Sequence, residues 1–356
     1  KIKVNWKHIL LMKIFKKNLS IVYFLLYKAK ILLYKYKIKR HFSFKPYVIS
    51  IGNITAGGTG KTPMIITLSQ ILSGSNLNHS IVSRGYRRKN NKKVIIQSNK
   101  SAAQSIADLG DEPFLLAKKL PLIPIIVGNK KEAINIGFKT FLNPIMLIDD
   151  GFQSLEIKRN CDIVLIDLSR KVSEYELLPL GLLREPLKNI HRAHFIIFTK
   201  SNYDQGDSKK IQELVNSQIN LQKTHVFKSK LINNLQKYSF ETQQFTIQKN
   251  IQNKELIGFC GIAKPLIFNK LMQSYCKKNT LIINFADHFH YEKGDILKIK
   301  NKLKEISSNT ILTTMKDFYK IRNSFQGYSI YVIDIQHEIE KLDLFKSLLL
   351  QNLLDT

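Results

Sequence analysis

Acid is what the start of this chain lacks: residues 1–45 are rich in Lys and contain no Asp or Glu. Over the whole chain Asp and Glu number 27 against 56 Lys and Arg, a formal net charge of +29. That excess makes an acidic partner natural, whether an anionic membrane, a nucleotide or a phosphorylated substrate. Lys, Asn and Ile abound together, as drift toward AT-rich codons would produce, so codon drift is the alternative source of the excess. Cysteine is scarce as well. Cys161, Cys260 and Cys276 lie far apart with no C-x-x-C spacing, which excludes a disulfide framework and a cysteine-based zinc site and fits a reducing cytosol. Cys161 and Cys260 sit by apolar runs and read as small buried residues. Long apolar runs are missing from the first stretch too. Its longest uncharged segment is residues 18–27, short of the roughly 20 residues that span a bilayer.

What the first stretch does contain is Trp6, Ile9, Leu10, Leu11, Ile14 and Phe15, then the runs 21–27 and 31–36, interleaved with Lys. This pattern predicts a basic amphipathic helix that lies on a membrane, its lysines drawn to anionic lipid and its aromatic and apolar side chains entering the interface. Lys28 and Lys30 follow the apolar run without a small-residue cleavage site, so a removable signal peptide is not expected. Nor is nucleic-acid binding. A core helix with a solvated basic face is the plainer alternative.

The stretch from Ile51 to Pro63 is the one around which the chain is arranged. A short apolar strand from Tyr47 leads into Thr55-Ala56-Gly57-Gly58-Thr59-Gly60-Lys61-Thr62, and helical spacing resumes over 64–72. Strand, Gly-rich loop and helix follow in the order of a P-loop. The three glycines permit left-handed turns, backbone N–H groups face phosphate, Lys61 reaches the outer phosphate oxygens, and Thr62 can ligate Mg²⁺. One position departs from G-x-x-x-x-G-K-[ST], since Thr55 stands where the first glycine belongs.

A P-loop needs an acid at a neighbouring strand end, and 145–148 deliver Asp149 and Asp150 to such a place. Asp167, after 163–166, has the same shape, so pattern leaves the choice open. Arg84, Arg87 and Arg88 read either as a phosphate or head-group site or as exposed loop charges. Arg184 and Glu185 fit a charge-neutralising cation and a metal-shell acid, or a surface ion pair. Asp111 and Glu112 read as a helix start. Asp287, His288 and His290 cluster at a strand end; with no second ligand cluster zinc is disfavoured, and a histidine meeting an acid of the first domain is the sharper idea. At 356 residues the chain suits two domains. The divisions expected are a membrane-associated helical segment 1–45, a P-loop domain 46–222 with a mostly parallel sheet and helices on both faces, a β-rich linker 223–252 and a smaller α/β unit 253–356.

Taken in order, Gly-Asn-Ile-Thr-Ala-Gly-Gly-Thr-Gly-Lys-Thr-Pro, Ser-Arg-Gly-Tyr, Gly-Asp-Glu-Pro, Asp-Asp-Gly-Phe-Gln, Leu-Arg-Glu-Pro, Phe-Ala-Asp-His and Thr-Met-Lys-Asp resemble one family, the tetraacyldisaccharide 4′-kinases of lipid A synthesis. Thr55 is compatible with that family's loop. The resemblance implies a monomeric kinase peripheral to the cytoplasmic face of the bacterial inner membrane. It would transfer the γ-phosphoryl group of ATP to the 4′-hydroxyl of a lipid disaccharide 1-phosphate, giving lipid IVA. It further implies that Asp111 acts as base with His288, that an imidazolium keeps Asp111 ionised, that Thr62, Asp149, Asp150 and Glu185 manage Mg²⁺, and that Lys61 and Arg184 neutralise developing charge. The competing class is a nucleotide-switch or metal-insertion GTPase, for which Thr199-Lys-Ser-Asn202 is a poor N-K-x-D base-reading motif.

Overall fold

The strand segments are runs of Ile, Val, Leu and Phe that are apolar on both faces, the composition of a parallel sheet covered by helices. The structure, a computed structural model, describes residues 6–86, 88–89, 94–99, 104–251, 255–276 and 280–354. Its strands are β1 (Tyr47–Asn53), β2 (His79–Ser83), β3 (Ile95–Gln97), β4 (Ile125–Val127), β5 (Ile145–Asp149), β6 (Cys161–Asp167), β7 (Phe195–Thr199), β8 (His225–Tyr238), β9 (Phe245–Gln248), β10 (Leu256–Cys260), β11 (Thr280–Asn284), β12 (Thr310–Thr314) and β13 (Ser329–Ile339). The α-helices are α1 (Trp6–Lys35), α2 (Lys61–Gly74), α3 (Ile106–Leu109), α4 (Asp111–Lys119), α5 (Lys130–Phe141), α6 (Ser208–Asn216), α7 (Pro265–Tyr275), α8 (Lys293–Glu305), α9 (Met315–Ile321) and α10 (Leu342–Leu354).

Among the described residues the strands form one sheet ordered β11-β10-β12-β13-β8-β7-β6-β1-β5-β2-β4-β3, with β9 on β8. Helices cover both faces, as expected. In β1, Ile49 and Ile51 join Met64, Ile65 and Leu68 of α2, whereas Val48 joins Ala133 and Ile134 of α5. That alternation is the two-residue period of a strand. In the second half Phe259 packs with Ile299 and Leu303 of α8, and Leu256 with Phe268 and Met272 of α7. Parallel neighbours flank β1 on both sides, β6 on one and β5 on the other, so its carboxyl end opens into a crevice between crossovers that leave in opposite directions.

The segment expected as a linker is instead the seam of the sheet. Residues 225–228 of β8 pair in parallel with β7, and residues 229–238 pair antiparallel with β13. One strand therefore belongs to both halves. The β-rich character expected of 223–252 is met by this single long strand and by β9. The C-terminal helix α10 crosses back as well: Phe345 and Leu349 share a core with Phe195 and Phe227, and Tyr47 Oη donates to the Asn352 carbonyl at 2.9 Å. The last part of 253–356 thus packs against the first half.

Helix α1 inverts the usual amphipathic arrangement. Ser20, Tyr23, Tyr27 and Lys30, on one face by their spacing, dock it through polar contacts: Ser20 Oγ to the Leu177 carbonyl (3.1 Å), Tyr23 Oη to the Arg184 carbonyl (2.6 Å), Tyr27 Oη to Glu185 Oε2 (3.1 Å) and Lys30 Nζ to the Gln153 carbonyl (3.4 Å). Leu11, Ile14, Phe15, Val22, Leu25 and Leu26 are exposed. No helix among the described residues is long and apolar enough to cross a membrane.

Candidate active site

The loop after β1 carries the site. Gly57 and Gly60 both have φ of 94°, left-handed backbone that glycine adopts without a Cβ penalty, and Gly60 is the residue from which α2 departs. Gly58 is not left-handed, and a Cβ there would meet nothing within 4 Å, so the geometry does not demand the third glycine. Lys61 and Thr62 open the first turn of α2, where the amides and the helix dipole favour an anion. Residues 56–63 form one wall of a cavity of about 670 Å³; Tyr86, Glu112, His288 and Lys316 stand on it too, and Asp150 and Arg184 close one side.

Beside the loop, Asp150 accepts from Arg184 in bidentate fashion, at 2.9 Å and 3.0 Å, and Lys61 lies 3.5 Å from the same carboxylate. Arg184 and Lys61 both also reach Asn53 Oδ1, Lys61 at 3.3 Å. Burial works against the Asp150 charge, yet Lys61 and Arg184 hold its pKa well below the carboxylate range. Asp149 is different. Ser83 Oγ donates to its Oδ2 at 3.0 Å, while Oδ1 is buried with no hydrogen-bond partner. Burial, reinforced by Glu112, pushes its pKa up to about 7. A buried oxygen with no donor, at the end of a strand next to a phosphate loop, suits a divalent cation that also takes oxygens from phosphate. No cluster of three or more acids, histidines or cysteines forms a metal cage among the described residues.

Glu185, expected in the metal shell, is turned the other way. Its Oε1 accepts from Gln153 (2.9 Å), and its Oε2 from Arg192 (2.6 Å), Asn189 (3.1 Å) and Tyr27 (3.1 Å). Four donors satisfy the carboxylate without a cation, and they anchor α1 to the loop that carries Arg184. Asp167, the rival strand-end acid, is likewise saturated by Lys200 (2.7 Å), Lys264 (3.1 Å) and Ser169 Oγ (2.6 Å). Burial opposes its charge, but the two lysines bring it to about 2.

Across the cavity Asp111 begins α4 and also faces the second half. His288 Nδ1 donates to its Oδ2 at 3.2 Å, and Lys320 Nζ donates to the same oxygen at 2.7 Å. Burial would raise the Asp111 pKa; the His288 and Lys320 hydrogen bonds, with the Lys320 and Lys316 charges, outweigh it and bring it to about 2. Lys316 Nζ lies 3.3 Å from His288 Nε2, and an ammonium has no lone pair to accept with. The ring therefore accepts at Nε2 and carries its hydrogen on Nδ1. The His288 hydrogen bond and the Lys320 ammonium together keep Asp111 ionised. Two left-handed glycines fix the approach, since a Cβ on Gly110 (φ 88°) would sit 2.8 Å from the Tyr86 carbonyl and one on Gly85 (φ 67°) 2.6 Å from the Leu109 carbonyl. Tyr86 in turn meets the His288 ring edge-on at 5.5 Å.

Of the remaining expected groups, Arg88 is buried and donates to the Val127 carbonyl at 3.0 Å, Arg84 is exposed, and Arg87 lies outside the described residues. His290 is exposed, and helix α8 starts later, at Lys293 behind the cap Glu292. Thr199 and Lys200 hold loop carbonyls, Thr199 Oγ1 that of Thr59 at 3.0 Å and Lys200 Nζ that of Gly58 at 2.8 Å. That occupation sets them apart from a base-reading motif. Lys320, Lys316 as a His288 partner, and His337, whose Nε2 is 3.0 Å from the Gly60 carbonyl, are site residues that reading the sequence did not find.

A doubly covered parallel sheet with Lys61 and Thr62 at the head of a glycine-loop helix, facing a carboxylate and an imidazole from elsewhere in the chain, defines a P-loop phosphotransferase. Comparison with known proteins makes the class specific. The family model for tetraacyldisaccharide-1-P 4′-kinase matches residues 12–354. A tetraacyldisaccharide 4′-kinase of Elusimicrobium minutum is 30% identical over 315 residues, 86% of this chain and 83% of that protein. One of Desulfatibacillum aliphaticivorans is 30% identical over 334 residues, 93% and 90% of the two chains. The crystal structure of LpxK from Aquifex aeolicus in complex with ATP shares the fold, with a TM-score of 0.71 over 94% of this chain and 97% of that one at 24% identity. The chain belongs to the tetraacyldisaccharide 4′-kinase family. It is a kinase of lipid A biosynthesis, and the switch-GTPase alternative falls away.

Proposed function

We propose that this chain uses Mg·ATP to phosphorylate the 4′-hydroxyl of tetraacyldisaccharide 1-phosphate, yielding lipid IVA, with the residues gathered around the one cavity in the following roles. The loop 55–62 binds the triphosphate, its amides and Lys61 on the β- and γ-phosphates. Arg184, now paired with Asp150, supplies charge to the transferring group. Thr62, Asp149 and Asp150 would hold Mg²⁺; bound there, the ion would neutralise phosphate charge in the transition state. Asp111 accepts the proton of the sugar hydroxyl as it attacks phosphorus, and His288 orients the carboxylate. A carboxylate near pKa 2 stays ionised throughout the working range, which keeps it available as the acceptor. The observation that carries this reading is that loop residues 56–63 and His288 line the same cavity, with Asp111 directly behind His288.

The substrate is a lipid, and α1 supports a place for the enzyme on the cytoplasmic face of the inner membrane. Its polar seam is spent on the protein, its apolar side chains are exposed, and its flank is basic. The chain acts as a monomer in this reading, divided functionally into the arm 1–45, the P-loop half and the half that brings His288. The test is transfer from Mg·[γ-³²P]ATP to the disaccharide by purified protein in detergent, with Lys61→Ala as control. Label in lipid IVA is expected from the unaltered chain alone; ATP binding without labelled lipid would refute the assignment.

A further inference from the structure

The carbonyl oxygens of the phosphate loop are held by side chains one after another. Asn53 Nδ2 reaches those of Thr55 (2.7 Å) and Gly57 (3.4 Å), Arg170 that of Ala56 (2.7 Å), Lys200 that of Gly58 (2.8 Å), Thr199 that of Thr59 (3.0 Å) and His337 that of Gly60 (3.0 Å). In a trans peptide the carbonyl of one residue and the N–H of the next point opposite ways. Drawing the carbonyls outward therefore turns the amides that follow them inward, toward where phosphate binds. Most of these donors come from strand ends of the P-loop half. His337 does not, for it stands on β13 in the other half of the sheet.

We infer that His337 is a positioning residue for nucleotide binding, its Nε2–H holding the Gly60 carbonyl so that the amide of Lys61, at the mouth of α2, faces the phosphates. The inference rests on reading 55–62 as the ATP loop. A carbonyl only accepts, so Nε2 must carry the hydrogen, and Nδ1 then accepts from Ser229 Oγ at 2.9 Å. Ser229, on β8, thereby fixes the tautomer. Burial pushes the imidazole down to about 4, which leaves one N–H on the ring and one way to use it. The Gly60 carbonyl also takes the first helical bond, from Met64 N at 3.1 Å, so the imidazole fills its second lone pair. The steric fit is close. A Cβ on Gly60 would lie 2.5 Å from His337 Nε2, so glycine at the turn and histidine behind it form a matched pair.

The experiment is ATP binding to the full chain with Mg²⁺ and no lipid, followed by calorimetry, together with KM for ATP and kcat in the transfer assay. His337→Leu removes the donor and is expected to weaken ATP binding about tenfold, the worth of one well-placed hydrogen bond, with KM rising in parallel and kcat at saturating ATP changed by less than about threefold. His337→Gln places an amide N–H near the Nε2 position and should restore affinity to within about twofold. Ser229→Ala leaves the ring in place and releases its tautomer; a loss of about threefold is expected, and this milder variant decides the matter should His337→Leu not fold. Unchanged ATP affinity in a folded His337→Leu chain or in Ser229→Ala overturns the positioning role. So does a His337→Gln chain as weak as His337→Leu. Failure of the unaltered chain to bind ATP would instead remove the loop assignment on which the inference stands.

Discussion

Asp111 and His288 are 177 positions apart in the chain and 3.2 Å apart in space, joined by a hydrogen bond between the two halves of the sheet. The contact puts a carboxylate at the start of α4 under the control of the β11–α8 loop, across the cavity from the phosphate loop. If Asp111 is the proton acceptor, Asp111→Ala retains ATP binding and loses transfer by about a thousandfold, the middle of the range for a general base. Comparable turnover in the variant would dismiss the role.

Lys320 shares with His288 the task of keeping that carboxylate charged. With the folded pKa lowered to about 2, the unfolded chain binds the proton first as pH falls, so Asp111 contributes stability that is complete above its ordinary pKa and is lost as pH drops toward 2. The contribution is about 2 kcal/mol. Lys320→Met removes the shortest contact, and the acid limb of the kcat/KM profile should move upward in pH. A limb that stays in place would show that His288 alone sets the ionisation.

Which parts of this were readable beforehand follows from where the contacts lie in the chain. The phosphate loop is one continuous segment, so strand, glycines, Lys61 and Thr62 announce themselves. The α/β character of the second half is legible for the same reason, since Leu256–Cys260 and Pro265–Tyr275 are each a clean run between breakers. Residues 225–238 misled because Lys228 and Lys230 alternate with buried Ser229 and Leu231, the look of a half-solvated strand in a linker. Only the pairing with both β7 and β13 reveals the seam. The Asp111–His288 pairing was reached through the family resemblance, since no local pattern ties positions so distant. His337 had no local signal at all: it is one polar residue near the end of an apolar strand. Glu185 read as a metal acid because its donors come from α1 and from residues 187–192, and side-chain direction is not written in the Leu-Arg-Glu-Pro motif.

Asp149 holds a buried oxygen without a donor, a cost that a cation would remove. Asp149→Asn should therefore leave the metal-free melting temperature unchanged or higher. The same change should abolish most of the further rise given to the unaltered protein by Mg²⁺ with ATP. An Asn variant whose melting still climbs fully with Mg²⁺ would place the ion elsewhere.

Glu185 gives the opposite forecast. Its removal strands Arg192, which is three-quarters buried, and severs Tyr27 from the loop. Glu185→Ala should lower stability by about 3 kcal/mol in chemical denaturation while the Mg²⁺ concentration for half-maximal activity stays the same. A selective weakening of Mg²⁺ with stability intact would return Glu185 to the metal shell.

The exposed face of α1 offers a test that leaves the site untouched. Phe15 is 59% exposed and Leu25 58%, both away from the seam formed by Ser20, Tyr23 and Tyr27. If this face enters lipid, each loses about 2 kcal/mol of transfer energy when replaced by a charge. Phe15→Glu and Leu25→Glu should then each weaken sedimentation with vesicles containing anionic lipid by at least about tenfold, and added salt should weaken the unaltered protein by screening its lysines. Turnover on detergent-dispersed disaccharide should persist, because neither side chain touches the cavity. Equal sedimentation of both variants and the unaltered chain would mean that lipid is held by some other surface.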